Sequence, residues 1–292
     1  MAELDLNRYI NLVDRLHLSR ESGKVTELRG LLIKGTLPGA SVGSLVHIHL
    51  SHEQMILAEV VGFEDKSVLM MALSDFKGLS MGSKIVLARS DASVKVSNEL
   101  LGRVINGLGE PLDSLGEIEN TFDVSLYKDV RNPLEREPIR QPLDLGIRAI
   151  NGMLTVGQGQ RISIMAGSGV GKSVLLGMIA RNTAADVNVI ALIGERGREV
   201  AEFVQNDLGP EGLKKSVLVC VTGDQSPILR MRGAYVATAI AEYFCSQKKN
   251  VLFIQKLFHY VNQDDLSHHE EFVSKNVLVH GPASNQKIRG LA

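Results

Sequence analysis

Apolar residues change their rhythm three times along the chain. In LDLNRYINLVDRL, Leu6, Ile10, Val13 and Leu16 recur at helical spacing and predict a short amphipathic helix within residues 1–20. From about residue 22 to 92, short apolar runs (LRGLLI, SLVHIHL, ILAEVVGF, SVLMMAL, KIVLA) alternate with turn signals (PGASVG, EDKS, FKGLSMG). Strands this short, so spaced, predict a compact antiparallel β-barrel over residues 21–95. Further on, near-continuous apolar runs (RISIMA, VNVIALI, SVLVCVT, VLFIQ) are separated by amphipathic stretches (KSVLLGMIARNT, REVAEFVQNDL, ILRMRGAYVATAIAEYFCSQ). That alternation predicts an α/β domain over residues 96–256, a parallel sheet covered by helices on both faces.

Between the two patterns, KDVRNPLEREPIRQPLDL holds Pro133, Pro138 and Pro142, each biasing its predecessor towards extended backbone. This reads as a strap more rigid than a Gly/Ser linker. Residues 257–292 fit none of the three rhythms and form an unassigned tail.

Composition narrows the function classes. The 292 residues suffice for two domains, and 44% hydrophobic with 22% charged residues is globular usage. A net charge of −1 argues against a nucleic-acid partner, which usually selects a basic surplus. Cys220 and Cys245 sit in apolar stretches and read as buried core residues, not a disulfide framework. No apolar run reaches the roughly 20 residues of a membrane span, and the N-terminus has acids where a signal peptide has an apolar core. The expected location is cytoplasmic, peripheral to a membrane at most. His47, His49 and His52 lack the cysteine or acid company of a metal site, and the histidines of the tail (His259, His268, His269, His280) form no convincing one either.

The chemistry concentrates in AGSGVGKS, between the first strand of the α/β part and its helix. It matches the phosphate-binding P-loop, with Ala166 in the first glycine's place. Gly167, Gly169 and Gly171 let the backbone curl so that N–H groups, those of Ser168 and Val170 included, converge on phosphate oxygens. The helix beginning near Lys172 adds its positive end. Lys172 reaches the β- and γ-phosphates, and the Ser173 hydroxyl is the Mg²⁺ ligand. ATP with Mg²⁺ is the implied cofactor, bound by residues 166–174 (through Val174) together with Arg196. Hydrolysis further needs a group that orients water. Glu195, in GERGREV at the end of the next strand, is the candidate, while Glu199 and Glu202 only favour a helix N-terminus.

These segments, with GRVINGLGEPLD (102–113), PIRQPLDLGIRAINGMLTVGQGQRISIMAGSGVGKS (138–173) and SPILRMRGAYVATAIAEYF (226–244), resemble the flagellar and type III secretion export ATPases, relatives of rotary ATP synthase catalytic subunits. KSVLLGMIAR and LRMRGAYVATAIAEYF look closer to the flagellar branch. The resemblance covers about residues 22–255. It implies a β-barrel, a RecA-like nucleotide domain and a C-terminal helical domain, assembled as a homo-hexamer at the cytoplasmic base of an export gate. It further implies Glu195 as the catalytic glutamate, chaperones and cargo as partners, and the N-terminal helix as the dock for a regulatory, stator-like subunit.

One position breaks the pattern. Where the family's strand ends in a Mg²⁺-associated aspartate, VLFIQK ends in Lys256, a cation with no acceptor for a metal-bound water. Asp264 and Asp265 lie too far along to fill that place, and Arg289 is no match for the family's intersubunit arginine. The expectation is a truncated or frameshifted family member that binds nucleotide and hydrolyses it poorly. The competing expectations are a non-catalytic nucleotide- or partner-binding module, and an RNA-translocating RecA-type hexamer. The latter calls for aromatic stacking platforms, against an aromatic content of 4%.

Overall fold

The computed structural model describes residues 22–50, 54–128, 134, 138–165, 169–257 and 277–280. The predicted helix of residues 1–20, His52, much of the proline strap, Ala166 to Ser168 and most of the tail lie outside the described residues. The chain divides into two compact units, Met1–Ala92 and Ser93–Ala292.

In the first unit, β1 (Ser22–Arg29), β2 (Leu32–Thr36), β3 (Leu45–His49), β4 (Met55–Glu64), β5 (Ser67–Ala72) and β6 (Lys84–Arg89) form a closed barrel in the order β1-β2-β5-β4-β3-β6. Every pairing is antiparallel. The predicted barrel is present. Its interior follows from period-two alternation: on β5, Val68, Met70 and Ala72 are buried while Ser67, Leu69 and Met71 are half-buried. Ile33, Val46, Ile48, Val60 and Ile85 complete the core. LRGLLI, read above as one apolar run, instead spans a hairpin: Arg29 pairs with Leu32 and the chain turns at Gly30 and Leu31. His47 and His49 are half-buried, on the barrel's outer alternation, and no metal-ligating cluster exists among the described residues.

The second unit opens with a ribbon of β7 (Ser93–Val96) and β9 (Phe122–Ser125). Its main sheet contains β8 (Val104–Ile105), β10 (Arg161–Ile162), β11 (Val187–Ile193), β12 (Ser216–Val221), β13 (Val251–Leu257) and β14 (Val277–His280), ordered β10-β14-β13-β11-β12-β8. Strands β8, β12, β11 and β13 are mutually parallel. β14 pairs antiparallel with both neighbours, so β10 points the same way as β13. The predicted parallel sheet is therefore present with one reversed strand, from the tail the sequence left unassigned.

Every residue of β11 and β12 is buried, as expected when helices cover both faces. On one face, Ile190, Leu192, Leu218, Cys220, Leu252 and Ile254 pack with Leu176, Ile179 and Ala180 of the helix Lys172–Asn182 and with Phe203 and Leu208. The long helix Pro227–Ser246 packs on β11, β12 and β13. Its start is set by Ser226, whose hydroxyl accepts the Leu229 N–H, and by Pro227 in the first turn. Cys220 and Cys245 are buried and unbridged, and desolvation pushes each thiol up to about 12. No helix among the described residues is long and apolar enough to cross a membrane.

Candidate nucleotide site

The candidate residues sit at the carboxyl ends of β10, β11 and β13, the edge at which open α/β sheets bind ligands. Of AGSGVGKS, the described part begins at Gly169. Gly171, at φ 90°, occupies the N-cap of the helix Lys172–Asn182, a left-handed conformation that a Cβ would strain. The first N–H groups of that helix have no intrahelical partner. Lys172 and Ser173 in its first turn are half-exposed, and Val170 and Val174 are exposed. Lys172 forms no ion pair among the described residues.

At the end of β11 the chain turns at Gly194, again left-handed with φ 78°. Gly194 N–H donates to Val221 O (2.7 Å) and Gly223 N–H to Glu195 O (3.0 Å), which ties the ends of β11 and β12 together. The turn directs Glu195 inwards, where it is only 3% exposed. Arg196 follows as the N-cap of the helix Gly197–Glu202, with its side chain largely in solvent and 3.9 Å from Glu199. That separation in water contributes little.

Glu195 does not face an open site. Lys256 Nζ donates to its Oε2 at 3.0 Å, and both side chains are buried. Lys256 continues the alternation of Leu252 and Ile254, the residues of β13 that face the helix Lys172–Asn182. Burial raises the Glu195 carboxyl above its ordinary range; the Lys256 ammonium opposes that rise, and nearby Glu199 adds to it. Burial and Glu202 push the Asp207 carboxyl up as well, and Arg181 and the same Lys256 ammonium oppose that rise. The group expected to orient water is thus bonded to the residue that replaces the family's aspartate. Both positions were legible in the sequence; the bond between them was not, because it depends on the level at which two non-adjacent stretches pair.

A second, partly buried pair was missed altogether. Within GRVINGLGEPLD, Arg103 donates to both carboxylate oxygens of Asp113 (2.7 and 2.9 Å), which also accept from the Val104 and Leu115 N–H groups. Although burial raises the Asp113 carboxyl, these donors together hold it below its ordinary range. The clasp fixes the loop beside β8, so that motif has a structural part to play. Its charged ends were the available signal.

Comparison with known proteins gives this geometry a family. Two models of the ATP synthase alpha/beta family match, the beta-barrel domain over residues 19–87 and the nucleotide-binding domain over 146–266, and the chain belongs to that family. Within it, the chain is similar to flagellum-specific ATP synthases and to type III secretion ATPases. It is 51% identical to the flagellum-specific ATP synthase of Treponema pallidum over 80% of this chain and 52% of the relative. For the Bacillus subtilis protein of that name the figures are 45%, 84% and 57%. The type 3 secretion system ATPase of Xanthomonas euvesicatoria is 42% identical, over 82% of this chain and 54% of the relative. Among solved structures, the assembled ATPase EscN in complex with its central stalk EscO, from the enteropathogenic E. coli type III secretion system, matches with a TM-score of 0.74 and 44% identity. That match covers 80% of this chain and 57% of EscN. The chain spans about half the length of the curated relatives it matches.

Proposed function

We propose that the chain is the nucleotide-binding portion of an ATPase that energises flagellar-type protein export, and that its own turnover is held near background. In this reading residues 166–174 cradle the phosphates of ATP or ADP. The backbone N–H groups and the N-terminal end of the helix Lys172–Asn182 supply fixed partial positive charge, and Lys172 neutralises the β- and γ-phosphates. Arg196, at the neighbouring strand end, is a further phosphate contact.

Hydrolysis requires Glu195 to accept a hydrogen bond from the attacking water. Its Oε2 accepts from Lys256, and that ammonium lowers the basicity of the carboxylate that should polarise the water. The bond at 3.0 Å between two buried groups is the observation that carries the reading. Mg²⁺ fits this residue set poorly. Ser173 offers one oxygen, but the place of the supporting carboxylate holds a cation, so no catalytic step is assigned to a metal here.

In the intact assembly we place the chain in a homo-hexamer, in the cytoplasm at the base of an export apparatus. The apolar stripe of residues 1–20 docks the stator-like regulatory subunit, and export gate, chaperones and cargo are the wider partners. The buried pair also favours the second reading, a binding module without turnover, over a working motor. Calorimetric titration of the purified chain with ATP and ADP, alongside phosphate-release measurements, tests both parts. Absence of any nucleotide binding refutes the first, and robust phosphate release abolished by Glu195→Gln refutes the second.

A further inference from the structure

The chain contains two Asn-Gly dipeptides, Asn106–Gly107 and Asn151–Gly152, and the fold treats them differently. We propose that the loop after β8 is a self-modifying site. Its own groups drive closure of the Asn106 side chain onto the Gly107 nitrogen, and the resulting succinimide opens to aspartate or isoaspartate.

The electrophile is held from both sides. Asn106 Oδ1 accepts the Leu108 N–H at 2.8 Å and the Glu110 N–H at 3.0 Å, while Nδ2 donates to Glu110 Oε2 at 2.9 Å. N–H donors at one atom and a carboxylate at the other fix which is the oxygen and which the nitrogen. Ring closure develops negative charge on Oδ1, so the backbone donors form an oxyanion hole. Because Oδ1 bonds to the N–H one residue beyond Gly107, the side chain is folded back over the intervening peptide, where the attacking nitrogen lies.

The nucleophile is unencumbered. Gly107 has no Cβ to crowd the approach. It is buried, yet its N–H has no acceptor among the described residues, an uncommon state for a backbone donor. That nitrogen therefore gives up no protein hydrogen bond when it attacks. At Asn151–Gly152 these conditions fail. Gly152 lies within the helix Arg148–Met153, where its N–H belongs to the helical ladder. Asn151 Oδ1 accepts a single backbone N–H, from Leu145.

The atoms balance without an oxidant. Gly107 N bonds to Asn106 Cγ and releases its proton to water. The Cγ–Nδ2 bond breaks, and the nitrogen leaves as ammonia with a proton delivered through the exposed Glu110 carboxyl, which exchanges with solvent. One water then opens the ring. Opening at the side-chain carbonyl leaves aspartate, and opening at the backbone carbonyl routes the main chain through Cγ as isoaspartate.

Either product unlocks the loop. A carboxylate at position 106 meets Glu110 as a like charge where a donor stood before. Isoaspartate also lengthens a turn that is closed by Asn106 N–H to Glu110 O (2.8 Å) and Gly109 N–H to Asn106 O (3.1 Å). The turn has no slack: a Cβ on Gly107 would lie 3.0 Å from Val221 and from Leu229. The modification is thus a one-way timer on the packing of this loop against β12 and the start of the helix Pro227–Ser246.

The test incubates the full chain at neutral pH, folded and in urea, and follows both asparagines by peptide mapping with isoaspartyl methyltransferase labelling. Asn106 should convert at least about tenfold faster in the folded chain than in urea, since one oxyanion donor is typically worth about 10²–10³. Asn151 should convert more slowly folded than unfolded, and in urea the two sites should agree within about threefold, because unfolding removes what distinguishes them. Glu110→Gln keeps an acceptor for Nδ2 but has no acid to offer, and should slow Asn106 at least about tenfold without changing Asn151. Circular dichroism checks that the variant is folded. Conversion of Asn106 no faster in the folded chain than in urea shows that the loop protects the amide and overturns the proposal. Aspartate without isoaspartate, or an unchanged rate in folded Glu110→Gln, overturns it as well.

Discussion

The most direct check on the site is to break the Lys256–Glu195 pair from each side. At 3.0 Å, and at an effective dielectric of about 20, the gross attraction is about 5–6 kcal/mol, much of it offset by the desolvation of both groups. Removing one partner forfeits that attraction and leaves the other charge buried, which typically costs about 3–5 kcal/mol. Lys256→Met and Glu195→Gln should therefore each destabilise the second unit by about 3 kcal/mol, lowering its melting temperature by about 6–12 °C for a domain of this size. The double variant removes both charges and should cost no more than either single, giving a coupling energy of about 3 kcal/mol or more. Urea unfolding followed by far-ultraviolet circular dichroism measures all four proteins. The pH dependence has a definite sign. Glu195 has a carboxyl raised above its ordinary 4.5, so its contribution to stability is greatest below 4.5 and falls as pH rises through the folded-state value. Without Lys256 that rise is larger, and Glu199 then faces Glu195 without opposition. The deficit of Lys256→Met relative to wild type should accordingly shrink as pH falls towards 4.5. Purely additive single effects, with coupling under about 0.5 kcal/mol, would show that water screens the pair and that Lys256 does not hold Glu195.

Three further outcomes follow from the same geometry. Lys172→Ala should abolish measurable nucleotide binding in calorimetry, since it removes the cation proposed to meet the β- and γ-phosphates. Phosphate release by the purified chain should lie near background, and Glu195→Gln should change it by less than about twofold, because the loss of a comparable electrostatic contact already costs about 10²–10³ in rate. Asp113→Asn should destabilise the second unit by about 2–3 kcal/mol in urea unfolding. As the Asp113 carboxyl is held below 3.8, that difference should persist above this pH and fade as pH falls through the lower folded-state value.

What the sequence conveyed was periodicity. The barrel strands, the buried runs of β11 and β12 and the helices Lys172–Asn182 and Pro227–Ser246 were readable because each repeats one spacing for its full length. REVAEFVQNDL was read as a single helix, yet the chain passes from the helix Gly197–Glu202 into a π-helical turn over Phe203–Leu208 before resuming at Gly209–Lys214. Phe203 and Leu208, five positions apart, are both buried, a spacing that a 3.6-residue template does not count. The candidate site divides along the same line. AGSGVGKS announced itself because phosphate binding uses contiguous residues, and Glu195 because it ends a strand. The Arg103–Asp113 clasp and the Lys256–Glu195 bond are tertiary, and no local pattern encodes them. β14 was invisible for a related reason: four residues that complete a ladder need only backbone groups in the right place.

The barrel of the first unit has a consequence for crowded surroundings. Each of its six strands finds hydrogen-bonding neighbours on both sides, β1 closing on β6. A second barrel brought alongside therefore meets side chains and loops, not unpaired amides that could template a shared sheet. Copies of this chain held close together at high local density can thus touch through their barrels without fusing into a common β-structure, and contacts made there stay reversible.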